Sequence, residues 1–156
     1  MNEGQNVISL EAVKNMLAVD FCDDDEQIGL LIDTAVSMVE KYTDHILYYR
    51  EQVWYSSLKE TAISLYPIID ITATYNNEPT AIGIRYGSLT TYVSCQCGSK
   101  ITANVGYVDN SFIPSPLISA CYKIIAYLYE NRINYTATLP TDVQILLNQW
   151  RRSATI

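Results

Sequence analysis

A chain of 156 residues, 49% of them hydrophobic, is the size of one ordinary domain able to bury a single core, and residues 1–156 are read as one domain. The formal charge of −7, with ten Lys and Arg in all, lacks the cationic footprint that gripping phosphates demands, which argues against tight nucleic-acid binding. No run approaches the roughly 18 to 20 apolar residues of a membrane-spanning helix. The opening Met1-Asn2-Glu3-Gly4-Gln5-Asn6 has neither a basic nor an apolar leader region, so the expected setting is a cytoplasm and no membrane contact is expected.

In chain order, Ser9 is placed to cap a first helix at about 10–18 that carries Leu10, Val13 and Leu17 on one face. The run Asp23-Asp24-Asp25-Glu26 supplies a cap and negative charge for a second helix at about 24–42, with the stripe Ile28, Leu31, Ile32, Ala35, Val39 and Tyr42. From about 53 to 108 the period changes to two. Ile63 and Leu65 alternate with Ser64 and Tyr66, and Ile101, Ala103, Val105 and Tyr107 with Lys100, Thr102, Asn104 and Gly106. Turn-forming groups at Asn76-Asn77-Glu78-Pro79, Tyr86-Gly87-Ser88 and Gln96-Cys97-Gly98-Ser99 divide this region into about four to six antiparallel strands arranged as hairpins.

Ser115-Pro116 then reads as a capping hydroxyl before a proline, opening the third and longest helix at about 116–133 with Ile118, Cys121, Tyr122, Ile125 and Tyr129 at helical spacing. Leu139-Pro140-Thr141-Asp142 starts a last helix at about 142–152, which carries Val143, Leu146, Leu147 and Trp150 and closes on Arg151-Arg152. The expected fold class is α+β: a small helical bundle of two N-terminal and two C-terminal helices around a central antiparallel β insert of hairpins.

Catalytic signatures do not emerge. His45 is the sole histidine and reads as a surface or turn residue, no nucleophile elbow occurs, and the glycines form no phosphate-binding loop. Cys22, Cys95, Cys97 and Cys121 are scattered and read as reduced thiols, with Cys95 and Cys97 sharing one strand face. The acidic run lacks the alternate spacing and the glycine of a calcium loop. No catalytic residue, cofactor or metal is therefore expected. Two features suit contact with other chains: Trp150-Arg151-Arg152, an aromatic beside arginines, although Trp150 fits ordinary core equally well, and the hairpin loops, which otherwise serve as solvated turns. Thirteen tyrosines fit either an interface or a wet sheet face.

The order of segments resembles the head-tail connector, or head-completion adaptor, family of tailed bacteriophages. Ile8-Ser9-Leu10 through Val13-Lys14 to Leu17, the acids ending in Gln27-Ile28, and Ala35-Val36 followed by Val39-Glu40-Lys41-Tyr42-Thr43 are similar to the family's opening. Ile113-Pro114 with Leu117 and Ala120, Tyr129-Glu130-Asn131-Arg132, Leu139-Pro140 and Leu146-Leu147 before Trp150-Arg151 are similar to its close. Ala103-Asn104-Val105-Gly106-Tyr107 keeps the family's glycine-tyrosine but has valine where alanine is usual.

The resemblance implies a structural virion protein that forms a ring of copies, a dodecamer, in the neck. Such a ring joins the portal protein of the DNA-filled head to further neck or tail proteins and lets the genome pass without specific binding. It implies assembly in the bacterial host cytoplasm and no enzymatic role. Trp150, Arg151 and Arg152 become portal-docking candidates, and Tyr122 and Tyr129 with the hairpins ring-interface candidates. Glu130 and Arg132 are read as a polar lock at the end of the third helix. A tail-completion or stopper protein of an adjacent layer, and a small-molecule-binding or enzymatic α+β domain, stay open as alternatives.

Overall fold

In the computed structural model, which describes residues 7–57, 59–131 and 138–152, helices lie at both ends of the sequence and strands between them. Packing groups the chain into two units, one of Met1–Thr43 with Asp109–Arg151 and the other of Asp44–Val108 with Arg152–Ile156.

The first unit is helical. Helix α1 spans Leu10–Leu17; the Ser9 hydroxyl accepts the Ala12 N–H at 3.2 Å, and Ala18 stops the helix in the left-handed region. Helix α2, Asp25–Thr43, has Asp25 and Glu26 in its first turn, where the helix dipole favours carboxylates. Its buried stripe of Ile28, Ile32, Ala35, Val36 and Val39 packs on helix α3, Ser115–Glu130, which buries Leu117, Ala120, Cys121, Ile124, Ile125 and Leu128. Helix α4, Thr141–Asn148, closes the bundle with Val143 and Leu147 and packs on both.

Four helix expectations need correction. Ser115 does not cap α3 but is its first residue; Pro114 holds the cap position, no side chain caps, and Pro116 sits in the first turn where its missing N–H costs nothing. With 19 residues α2 is longer than α3 with 16. Helix α3 ends at Glu130: the Asn131 N–H still makes the helical bond to the Tyr127 carbonyl at 3.0 Å and its side-chain amide adds a second at 2.8 Å, but its backbone, at φ −108 and ψ 41, has left the helix. Helix α4 ends at Asn148, not near 152: the Trp150 N–H closes on the Leu147 carbonyl at 2.9 Å, a three-residue step tighter than an α-helical turn.

The second unit holds seven strands among the described residues: β1 Arg50–Tyr55, β2 Glu60–Ile63, β3 Ile68–Tyr75, β4 Glu78–Pro79, β5 Gly83–Tyr86, β6 Thr91–Ser94 and β7 Lys100–Val105. They form two antiparallel sheets, ordered β1-β7-β3-β4 and β2-β6-β5. The count exceeds expectation because the two-residue β4 pairs with the end of β3 across Asn76 and Asn77, both at positive φ as a tight hairpin turn requires. Strand β7 is central and shows the period read from sequence, burying Ile101, Ala103 and Val105. These side chains join Ile63, Ile71, Ala73 and Val93 in one core, with Trp54 and Leu65 packed against it. The segment Gln96-Cys97-Gly98-Ser99 does turn, but it links β6 of one sheet to β7 of the other instead of closing a hairpin, so Cys95 and Cys97 lie beyond the strand and do not share its face.

Gly106 follows β7 at φ +97, and a Cβ built there would stand 2.1 Å from the Tyr48 carbonyl oxygen. Only glycine permits both the backbone conformation and the approach, which sets Tyr107 alongside Tyr48. The obstruction is backbone and cannot swing aside. Gly106→Ala is therefore expected to lower unfolding stability by more than about 2 kcal/mol, read as a fall in the urea midpoint at unchanged slope.

Candidate interaction surface

Arg151 and Arg152 each lie over an aromatic ring. Past the end of α4, Trp150 is half-buried and Arg151 exposed. The Arg151 guanidinium lies 5.4 Å from the centre of the Tyr42 ring, and the Tyr42 hydroxyl donates to Asn148 Oδ1 at 2.6 Å. In the second unit the Arg152 guanidinium lies 4.2 Å from the Tyr66 ring. Tyr66 stands edge-on to His45, and the His45 Nδ1 and Tyr107 hydroxyl are 3.1 Å apart. Burial pushes the Tyr107 phenol above its ordinary value, Tyr66 adds to this, and the Arg152 charge opposes it. His45, read as a surface or turn histidine, is instead buried, at 5% exposure, and tied into a ring cluster.

Tyr122 and Tyr129 both lie half-buried on α3. The Tyr129 hydroxyl donates to Asp24 Oδ2 at 2.8 Å, fastening α3 to the acids that begin α2. The neighbouring Asp25 pairs with Lys14 of α1 at 2.5 Å, raising the ammonium pKa chiefly through that hydrogen bond. The acidic run therefore starts the helix, as expected, and also ties three helices at one end. Glu130 is exposed, while its proposed partner Arg132 lies outside the described residues.

A hollow of about 390 Å³ opens where α2 meets the start of α4, with Met38, Tyr42 and Leu139 as its apolar wall and Lys41, Gln144 and Arg151 at its polar edge. A second hollow along α2, lined by Leu30, Asp33, Thr34 and Ser37, shares Met38 and Lys41 with it. Sequence reasoning missed both, because the residues that meet there are distant in the chain; the sole local signal was Met38 and Lys41 lying off the buried stripe of α2.

Among the described residues, no three His, Cys, Asp or Glu lie together as a metal ion would need. Cys22 and Cys97 are exposed, Cys95 is half-buried and Cys121 is buried in α3. No helix among the described residues is long and apolar enough to cross a membrane.

Comparison with known proteins agrees with the resemblance in the sequence. Residues 7–79 match the family of phage gp6-like head-tail connector proteins. No curated protein matches the chain. Among solved structures, a chain in the neck of a native gene transfer agent particle, computed with C12 symmetry, superposes with a TM-score of 0.76 at 16% identity, covering 100% of this chain and 94% of that one. The neck of the empty particle computed with C6 symmetry gives the same values. The virion of the native particle gives a TM-score of 0.77 at 17% identity, with the same coverage. The resemblance read from sequence is thus borne out, and so is the α+β fold.

Two outcomes follow from this geometry. Burial pushes the Cys121 thiol from an ordinary 9.0 up to about 12, with the Glu40 charge adding to it. Above pH 9 the unfolded chain releases this proton while the folded chain keeps it, so stability falls as pH rises, by about 1.4 kcal/mol per unit until the folded thiol ionises. Between pH 8 and 10.5 the urea midpoint of the wild type should fall more steeply than that of Cys121→Ala, the difference corresponding to that slope. Tyr129→Phe, which deletes the hydroxyl bonded to Asp24, is expected to lower stability by about 1 kcal/mol in the same assay.

Proposed function

We propose that this chain, whose residues 7–79 carry the signature of gp6-like head-tail connectors, is a structural subunit of a phage-type neck that assembles with copies of itself into a ring. The match over 7–79 carries the reading, since that span includes α1, α2 and the first four strands. A fold shared with neck chains of a particle computed with C12 and C6 symmetry supports a ring, and a dodecamer is the form proposed.

The ring sits at the head-tail junction of the virion, with the portal protein on one side and further neck or tail proteins on the other, and DNA passes through its channel. A net charge of −7 suits that role, because a wall that bound phosphates strongly would brake the genome. The subunit acts by assembly and not by catalysis. Trp150, Arg151 and Arg152 are the proposed portal-docking residues; Arg151 and Arg152, each held over a tyrosine ring, are offered with little side-chain freedom left to lose on binding. Tyr122 and Tyr129 belong to the proposed contact between ring neighbours.

Mixing the purified protein with its portal tests this. Negative-stain images and native mass spectra are expected to show a ring, free or decorating the portal with matching symmetry. The triple variant Trp150→Ala, Arg151→Ala, Arg152→Ala is expected to stay folded and bind portal at least about tenfold more weakly. A subunit that stays monomeric and binds tail tube in place of portal would move it to the adjacent, tail-completion layer.

A further inference from the structure

A ring closed by rotation needs two different patches on every subunit, and the helical unit carries a pair that match in shape and charge. The loop between α1 and α2 presents Phe21, 53% exposed, between the exposed acids Asp20 and Asp23. An aromatic ring that far into solvent is a ready anchor for another surface. The loop is braced, because Asp24 is bonded by Tyr129 and Asp25 by Lys14, and Ala18 fixes the entry turn. Of the neighbouring charges only Lys14 is basic, and its ammonium is committed to Asp25.

The other end of α2 offers the converse. The hollow behind Met38, Tyr42 and Leu139 is apolar, and the exposed cations Lys41 and Arg151 stand at its mouth in a chain that is acidic overall. Asp33 is the one acid in the adjoining hollow, about two and a half helical turns from Tyr42. The two patches lie toward opposite ends of a 19-residue helix, with Met38 about 20 Å along its axis from Asp25, so one subunit cannot satisfy itself.

We infer that Phe21 of one subunit seats in the Met38–Leu139 hollow of the next, with Asp20 and Asp23 facing Lys41, so that a second copy of this chain is the occupant. This rests on the ring reading above and gives it a head-to-tail contact along α2. An isologous pairing would bring like patches together and stop at dimers.

Cross-linking tests it directly, using the exposed Cys22 beside Phe21. In a Cys95→Ser, Cys97→Ser background, Ser37→Cys places a thiol in the adjoining hollow, one residue before Met38, and Cys121 is buried. A short bis-maleimide on the assembled protein, free or on portal, is expected to give a ladder of covalent multimers that vanishes when Cys22 is replaced by Ser. Phe21→Ala should raise the concentration for half-assembly at least about tenfold. Asp23→Lys and Lys41→Glu should each weaken assembly and together restore it, which a loss of folding would not do. Rings that form without the ladder, with Phe21→Ala assembling as wild type, would overturn the contact while leaving the ring; a wild type that forms no ring on portal would overturn the ring reading itself.

Discussion

The packing of α2 on α3 is the contact on which the helical unit depends. Thr43 ends one helix and Ser115 begins the other, so the chain makes the whole β excursion before the bundle can close. Closing so long a loop is opposed by chain entropy, and the opposing free energy grows only slowly with length. The return comes from a dry seam of Ile28, Ile32, Val36 and Val39 against Leu117, Cys121, Ile124 and Ile125, each no more than 2% exposed. An insert that pairs its own strands is easily carried between two helices held this way.

What the sequence made legible follows from which interactions are local. The stripe of α2 was readable because Ile28, Ile32, Ala35 and Val39 recur at 3.6-residue spacing, and β7 because Ile101, Ala103 and Val105 recur at two. The Ser9 cap was readable for the same reason, its partner lying three residues away. Ser115 misled because a serine before a proline is a cap only when the backbone leaves the helix at the serine, and here it leaves at Pro114. The length of α3 misled because Asn131 leaves the helical backbone region with no glycine or proline beside it to announce the stop.

The surface was less legible than the core. The tyrosines gave no sign of their fates: Tyr129 reaches Asp24, Tyr42 reaches Asn148 and lies under Arg151, and Tyr66 lies under Arg152. Each partner is remote in the chain, and an aromatic ring suits a core, a wet face and an interface alike. Trp150-Arg151-Arg152 was singled out as one contiguous candidate, yet its two arginines rest on rings belonging to different packing units. Contiguity in sequence says nothing about which aromatic a guanidinium will find.

Strand β5 bears on solubility. Gly83, Ile84, Arg85 and Tyr86 are all exposed, on an outer strand of the three-stranded sheet. Such a strand is a template for uncontrolled sheet growth, and Ile84 and Tyr86 would favour it. Arg85 stands between them, its guanidinium 3.1 Å from Glu60 and 4.1 Å from the Tyr92 ring centre. A strand arriving from another molecule would have to strip water from a charge already satisfied in place. The same residue that staples the small sheet therefore acts as a gatekeeper, leaving crowded subunits free to meet through side chains before their backbones can fuse into an aggregate.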